Sequence, residues 1–212
     1  MTTVLLTGFE PFGGESTNPS WSTVQEVARA WNGPENVVAV ELPVDFAAVD
    51  DALLAALERV RPDLVICVGQ AGGTATIAVE RIAINVDDAR IPDNGGAQPI
   101  DEPVVTGGPA AYFSTLPIKA AVAELDRLGV PAVVSQSAGT FTCNHVFYRL
   151  MHELRGTDVR GGFVHVPFSP DQTVGTSTPS MSIETMVRGL TAIVGTTLAT
   201  RDDALISGGA LH

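Results

Sequence analysis

The feature that most constrains this chain is a regular alternation of short apolar runs with longer amphipathic segments. The apolar runs are rich in Val, Ile and Leu and are predicted to be strands over 4–8, 37–42, 64–69, 131–135 and 162–166, with a longer strand-like stretch over 74–86. Helical spacing predicts helices over 117–128, 143–155 and 182–199, and two more that begin near Asn18 and Asp45. This order predicts an α/β fold with a mostly parallel, twisted central sheet flanked by helices on both faces.

The length of the chain fits a single domain. It has 212 residues, of which 45% are hydrophobic, and no linker or repeat divides it. We therefore predict one catalytic domain over 1–212, with a loosely ordered tail over about 201–212. Residues 87–112 are rich in Asp, Pro and Gly without a clear period, and so long a loop in a compact domain is often functional.

The charge of the chain excludes several classes of partner. The formal net charge is −12, from 12 Lys and Arg against 24 Asp and Glu. Nucleic acids and anionic membrane surfaces attract basic proteins, so we expect neither as a partner. The amino-terminal stretch lacks the pattern of a signal peptide, and no run of about 18 apolar residues predicts a membrane span. With only two cysteines, the chain is expected in the reduced cytoplasm.

A parallel sheet also predicts where the ligand binds. Ligands of such folds lie beyond the carboxyl ends of the strands. This rule selects the loop after Gly8, the loop after Gly69, the turn at 138–143 and the turn after Val166.

The two cysteines have different surroundings. Cys67 lies inside the apolar run LVICVG, which favours a buried structural thiol. Cys143 follows Gly139 and Thr140 at the predicted start of a helix, where outward amides and the helix dipole stabilise a thiolate. From this pattern alone, Cys143 is either a nucleophile or a small core residue.

The four histidines are candidates for the base that a nucleophile needs. His145 follows Cys143 by two residues, so on a helix it points about 200° away from the thiol. His152 is further along the same helix and out of phase, and His212 is the last residue, expected to be mobile. His165, at the carboxyl end of GFVHV, remains as the best base by elimination. Taken alone, His165 fits a hydrogen-bonded structural histidine better than a catalytic base.

Glu80 is the candidate for an orienting acid. The stretch TATIAVERIAINV is largely apolar on both predicted faces, and a carboxylate buried there needs a partner. Glu80 either forms a structural ion pair with an arginine or orients an imidazole, as the acid of a catalytic triad does.

Two other kinds of site find little support. The segment GQAGG over 69–73 resembles an anion cradle but lacks the Lys-Ser/Thr pair of a P-loop and the G-x-G-x-x-G spacing. The cysteines and histidines show no metal-ligand spacing. These patterns therefore give little support to a phosphate, nucleotide or metal site.

Four stretches of the chain resemble the pyroglutamyl peptidase I family of cysteine peptidases, also called pyrrolidone-carboxylate peptidases. They are LLTGFEPFGGESTNPSW, VICVGQAGG with VERIAINVDDARIPDNGG, SAGTFTCNHVFY and GFVHVPFSPDQ. Their order and spacing agree with the family, and the resemblance extends from residue 3 to about 200.

The resemblance implies the site and the reaction. The family's triad would fall on Glu80, Cys143 and His165, the residues that elimination also selected. An arginine near the oxyanion site would be Arg90. The aromatic wall around the substrate's lactam ring would be Phe9, Phe12 and Phe141, with Gln70 in the same pocket. The implied activity is removal of an N-terminal pyroglutamyl residue from peptides, with no metal or cofactor, by an intracellular enzyme that is often a homotetramer.

The chain departs from the family's pattern at two positions. Thr74 follows GQAGG where the family often carries an arginine, and Gln136 stands where the family has asparagine. Two rival functions also stay open at this stage. One is a phosphorylase-like transferase that holds phosphate with GQAGG and Arg90, and the other is a non-catalytic protein that binds a small ligand on the same scaffold.

Overall fold

The computed structural model describes residues 1–210 and contains eight strands and five α-helices within them. In chain order these elements are β1 (Thr3–Phe9), α1 (Pro19–Ala30), β2 (Asn36–Leu42), α2 (Val49–Val60), β3 (Leu64–Gln70), β4 (Ile77–Glu80), β5 (Ile82–Ile84), β6 (Ala111–Phe113), α3 (Ile118–Arg127), β7 (Ala132–Ser135), α4 (Thr142–Glu153), β8 (Arg160–Val166), a short 3-10 helix (Pro170–Thr173) and α5 (Ile183–Ala199).

Six of the strands form one central sheet in the order β2-β1-β3-β8-β4-β7. The first four of these run parallel to one another, whereas β4 is antiparallel to β8 and parallel to β7. Strands β5 and β6 pair in a separate two-stranded antiparallel sheet. The prediction of a single α/β domain with a mostly parallel central sheet is confirmed.

Helices cover both faces of the central sheet, as predicted. One face packs against α1, α3 and α5, and the other packs against α2 and α4. Alternate residues of a strand point to opposite faces, so Leu6 and Val164 enter the first apolar layer while Leu5 and Phe163 enter the second. Within residues 1–210, none of the helices has the length and apolar character that crossing a membrane requires.

The prediction of one long strand over 74–86 is wrong, because the chain changes sheets at Arg81. The amide of Arg81 donates to the carbonyl of Ser135 (3.0 Å), at the end of the ladder between β4 and β7. The carbonyl of Arg81 accepts instead from the amide of Ser114 (2.9 Å), which follows β6. One residue thus ends β4 in the large sheet, and the next begins β5 in the small one.

Helix α2 begins later than predicted, at Val49 rather than at Asp45. The carboxylate of Asp45 accepts from the amides of Ala47 (2.8 Å) and Ala48 (3.1 Å). Such a side-chain contact to the following amides favours a turn over a helix, so residues 45–48 form a turn before α2.

The expectation that every candidate loop meets at one edge is only partly right. Strands β1, β3 and β8 do end at the same edge, but β4 and β7 run in the opposite direction to β8. Residues 136–141 therefore carry the chain from the end of β7 to the start of α4, where Cys143 lies against Gly69 at the carboxyl end of β3.

The carboxyl-terminal segment makes hydrogen bonds with the rest of the domain. The carboxylate of Asp203 accepts from the amides of Lys119 (3.0 Å) and Ala120 (2.9 Å) at the start of α3. The carbonyl of Gly208 accepts from Arg81 (2.9 Å). Loose order of the tail stays a prediction, and the part of it that concerns His212 lies outside the described residues.

The loop after β1 is held by a close approach of β1 to α1. Asn18 caps α1 by accepting from the amide of Ser20 (3.0 Å), and the hydroxyl of Ser20 accepts from the amide of Phe9 (3.0 Å). A Cβ atom on Gly8 would lie only 2.6 Å from the Cα of Trp21. Glycine at this position therefore lets the helix backbone touch the strand.

We expect Gly8→Ala to destabilise the fold by about 1–3 kcal/mol, because the added methyl meets backbone that cannot turn aside. Gly195→Ala is the matched control: it lies within α5 with open space around the added Cβ. That control should gain about 0.5–1 kcal/mol, the advantage of alanine over glycine in a helix. Urea unfolding of both variants measures the two free energies. Equal effects on stability would show that the approach of α1 to β1 does not depend on Gly8.

Candidate active site

The candidate site lies on the face of the central sheet that α4 covers. In the sheet register, His165 of β8 has Gly69 of β3 on one side and Ala78 of β4 on the other. Glu80 follows Ala78 by two residues and therefore points to the same face. The three neighbouring strands thus present a histidine, a carboxylate and a gap where Gly69 has no side chain.

Glu80 and His165 form a buried pair across two strands. The Oε1 atom of Glu80 lies 2.8 Å from Nδ1 of His165. The two residues are diagonal neighbours in the antiparallel pairing of β4 with β8, a separation that a long side chain spans. Glu80 is 1% exposed and His165 is 7% exposed. The carboxylate therefore holds the ring through Nδ1 and leaves the Nε2 side for another partner.

That other partner is Cys143. Helix α4 begins at Thr142, so Cys143 lies in its first turn, where backbone amides have no partner within the helix. A Cβ atom built on Gly69 would lie 2.7 Å from the Sγ atom of Cys143. The thiol therefore occupies the space that Gly69 leaves open, next to His165 in the sheet register.

The surroundings of His165 favour its charged form. Burial alone would lower the pKa of the ring, but interactions with Cys143 and then with Glu80 raise it to about 10. The second thiol is different: burial raises the pKa of Cys67 to about 12. Cys67 is completely buried in β3, as predicted for a structural thiol. Only Cys143 has both partial exposure and a histidine beside it.

The other described histidines are engaged elsewhere. His145 lies between Asp87 (2.7 Å) and Asp50 (3.1 Å). The Nδ1 atom of His152 lies 2.9 Å from the hydroxyl of Tyr112. These contacts agree with the helix-phase argument that directed both rings away from the thiol.

The predicted aromatic wall is divided between two layers. Phe12 and Phe141 are half-buried and their ring centroids lie 6.1 Å apart. Phe9 is 1% exposed and packs against Phe163 at 6.4 Å, so it lies in the core layer beneath them. The structure therefore brings Phe12 and Phe141 together at the surface and places Phe9 in the buried core.

Gln70 ends β3, and Arg90 lies in the long loop after β5. The Oε1 atom of Gln70, at the end of β3, accepts from the side-chain amide of Gln172 (2.9 Å). Arg90 is exposed and makes neither a hydrogen bond nor an ion pair with any residue over 1–210. Its loop is attached to the turn before Cys143, because the amide of Asp88 donates to the carbonyl of Thr140 (2.9 Å). The roles suggested for Gln70 and Arg90 stay predictions.

The sequence did not single out two residues that organise this region. Asn144 is completely buried, accepts from the amide of Ile84 (3.0 Å) and donates to the carbonyl of Val86 (3.0 Å), which fixes β5 against α4. Phe46 packs edge-on against Phe141, with ring centroids 5.5 Å apart. Asn144 could have been predicted from the sequence, because it is a polar residue directly after the candidate nucleophile. Phe46 gives no such signal, because it stands alone in a short loop.

Comparison with known proteins identifies the family of the chain. The family model for pyroglutamyl peptidase matches residues 2–200. The chain belongs to the pyroglutamyl peptidase family. It is 63% identical to the pyrrolidone-carboxylate peptidase of Clavibacter michiganensis and 54% identical to that of Erwinia tasmaniensis, in each case over the full length of both chains.

Solved structures of the family share the fold. A pyroglutamyl peptidase I of Bacillus amyloliquefaciens superposes with a TM-score of 0.93 at 48% identity, covering 96% of this chain and all of the other. A pyrrolidone carboxyl peptidase of Thermococcus litoralis also gives 0.93, at 41% identity, covering 98% of this chain and all of the other. The family assignment makes this chain a peptidase.

The two departures from the family's pattern have local structural roles. The side-chain oxygen of Gln136 accepts from Nε of Arg81 (2.8 Å), the residue directly after Glu80. The hydroxyl of Thr74 lies 2.8 Å from that of Thr76, so it stabilises the loop that leads into β4. Both residues therefore act on the two ends of β4, the strand that carries Glu80.

We expect Gly69→Ala to slow the reaction of Cys143 with iodoacetamide, because the added methyl displaces Sγ from His165. A loss of about 1.4 kcal/mol in that interaction corresponds to a tenfold slower reaction. Gly195→Ala is the control, since it lies on α5 at the opposite face of the sheet. The rates are measured by mass spectrometry of the alkylated protein, beside urea unfolding of each variant. An unchanged rate in a folded Gly69→Ala protein would show that the thiol does not depend on this gap.

Proposed function

We propose that this peptidase removes an N-terminal pyroglutamyl residue from peptides, with Cys143 as nucleophile, His165 as general base and acid, and Glu80 as the group that orients His165. The observation that supports this most is the buried 2.8 Å pair between Glu80 and His165, directed at a half-buried thiol at the start of a helix. Nucleophile, base and orienting acid in this order are the arrangement of a triad.

The first half of the reaction forms a thioester. His165 takes the proton of the Cys143 thiol, and the thiolate attacks the pyroglutamyl carbonyl carbon. The tetrahedral intermediate then collapses: the C–N bond breaks, and the imidazolium gives its proton to the leaving amine. The raised pKa of His165 favours the charged ring from which this proton is donated.

The second half releases the acid. His165, now neutral, takes a proton from water while the water oxygen attacks the thioester carbon. Collapse of the second intermediate breaks the C–S bond and returns the proton to the sulfur. In both halves the carboxylate of Glu80 holds the ring in one orientation and stabilises its positive charge.

The oxyanion needs donors close to the nucleophile. The unpaired amides in the first turn of α4 are directed to this side, and one such donor is typically worth about 3–4 kcal/mol in the transition state. Arg90 is proposed as a further, charged donor because its loop is attached to the turn before Cys143. Phe12 and Phe141 would enclose the lactam ring, with Phe9 beneath them and Gln70 at the edge of the pocket.

The proposed binding partners of this protein are its substrates. The substrates are peptides that carry an N-terminal pyroglutamyl group, and the chemistry uses side chains and backbone amides of the chain, without metal or cofactor. A homotetramer and a cytoplasmic location are part of the same proposal. Size-exclusion chromatography with light scattering tests the subunit count.

We expect Cys143→Ala and His165→Ala to lose at least about a thousandfold in kcat/KM for a pyroglutamyl anilide, because each removes a reacting group. Glu80→Gln should lose at least about a hundredfold, since an amide can hold the ring but cannot stabilise its charge. Cys67→Ala is the control and should keep activity at a stability cost of about 1 kcal/mol. Release of the chromogenic amine measures all four variants.

The same assay separates the proposal from its rivals. Activity that requires added phosphate would indicate a phosphorylase instead. Full activity in a folded Cys143→Ala protein would rule out the thiol mechanism. A protein that binds the lactam but releases no amine would be a binding protein.

Selectivity for the lactam follows from the pocket. A pyroglutamyl group is uncharged, whereas glutaminyl, glutamyl and prolyl groups carry a charged nitrogen, which an aromatic pocket solvates poorly. Groups directed at the lactam would also be left unpaired by proline, which lacks the ring carbonyl. We expect the three other amides to be cleaved at least about a thousandfold less well by kcat/KM. Comparable cleavage of the prolyl amide would show that the aromatic residues are core and not pocket.

A further inference from the structure

Behind the surface pair Phe12 and Phe141, the structure contains two further rings, those of Phe46 and His145. Phe46 meets Phe141 edge-on, with centroids 5.5 Å apart and planes at 88°. On its other side Phe46 meets the ring of His145, with centroids 5.4 Å apart and planes at 76°. His145 thus supports Phe46, and Phe46 supports Phe141.

His145 itself is fixed from two sides. Its Nδ1 atom lies 2.7 Å from Asp87, in the loop after β5, and its Nε2 atom lies 3.1 Å from Asp50 of α2. Asp87 is 5% exposed and His145 is 6% exposed. Asp50 is also paired with Arg149, one turn further along α4 (3.5 Å). With a carboxylate against each nitrogen, the ring is held in one orientation. Both nitrogens then carry protons, because a carboxylate accepts a hydrogen bond and does not donate one.

The charged state of the ring agrees with this geometry. Burial alone would lower the pKa of His145, but its hydrogen bonds to Asp50 and Asp87 raise it to about 9. At neutral pH the ring is therefore an imidazolium that donates to both carboxylates. A ring held in this way does not titrate or turn during a reaction near pH 7, unlike a catalytic histidine.

The position of Phe46 is also restrained. Its backbone amide donates to the carboxylate of Asp93 (2.7 Å), which also accepts from the amide of Ala97 (2.7 Å). Its ring is then placed by the edge of His145. Behind Phe141, the position of Phe46 therefore depends on its backbone hydrogen bond to Asp93 and on the ring of His145.

We propose that His145 is a positioning residue for the pocket: held between Asp50 and Asp87, it fixes Phe46, and through Phe46 it fixes the Phe141 side of the lactam site. This inference depends on the proposed function, because the pocket is that of the proposed substrate. It assigns His145 to binding and not to the thiol, since His145 points about 200° away from Cys143 around α4.

The test uses protection of the thiol, which does not require turnover. Iodoacetamide alkylates Cys143, and the free lactam 2-pyrrolidone slows this reaction when it occupies the pocket. In His145→Gln, we expect the 2-pyrrolidone concentration that halves the rate to rise roughly tenfold. The rate without lactam should stay within about twofold of wild type, because the triad is untouched. In parallel, KM for the pyroglutamyl anilide should rise by the same factor while kcat changes little.

A matched control lies on the same helix. His152 also makes an aromatic contact and a hydrogen bond, but with Tyr112, away from Phe141. His152→Gln should leave lactam protection unchanged. Equal effects from both variants would indicate general loosening of α4 and would overturn the proposal.

A double variant tests the route through Phe46. If His145 acts by placing Phe46, then Phe46→Leu with His145→Gln should weaken protection no more than Phe46→Leu alone. Multiplied effects of the two changes would contradict this route. Should His145→Gln not fold, Asp50→Asn keeps the shape of the acceptor, removes its charge and should weaken protection in the same direction.

The outcomes also separate this inference from the function on which it depends. Wild-type protein that the lactam protects, with equal protection in folded His145→Gln, would overturn the role of His145 alone. Wild-type protein that no concentration of lactam protects would show that the pocket, and with it this inference, is wrong.

Discussion

The buried pairing of Glu80 with His165 is the interaction on which the rest of the site depends. A carboxylate that is 1% exposed is costly to keep charged unless a cation is beside it, and here the cation is the ring at 2.8 Å. Its second oxygen, Oε2, has no hydrogen-bond partner within residues 1–210. The positive charge on His165 and the negative charge on Glu80 therefore stabilise each other. Cys143 also stabilises the charged ring, because it is the first of the two partners that raise the pKa of His165.

This pairing also gives a reason for the reversed direction of β4. In the antiparallel register Ala78 stands opposite His165, which makes Glu80 the diagonal neighbour of the ring on the same face. The chain leaves the sheet at the next residue, Arg81, so no further side chain of this strand follows Glu80 over the site. Arg81 is then bound by Gln136 and by the carbonyl of Gly208, which closes the end of the strand.

The sequence was sufficient for the fold class and for a set of candidates, because apolar runs, helical spacing and long motifs are local signals. It failed where the deciding contact is distant. The break at Arg81 depends on Ser135 and Ser114, and the late start of α2 depends on a turn around Asp45 that helical periodicity does not report. The direction of β4 likewise follows from pairing with β8, 85 residues away at the Glu80 to His165 contact. The contact of Phe46 with Phe141 belongs to the same class, since nothing near Phe46 in sequence predicts it.

Three successive residues at the start of α4 make contacts with three different parts of the structure. Successive residues of a helix point about 100° apart, so Cys143, Asn144 and His145 face three directions. The first lies in the gap at Gly69, the second holds β5 through backbone groups, and the third is fixed by two carboxylates. Each contact restrains the rotation of the helix about its axis, and together they leave one rotation. In that rotation the thiol stands beside His165, so this one turn places the nucleophile, fixes β5 and, in our proposal, supports the Phe141 side of the pocket.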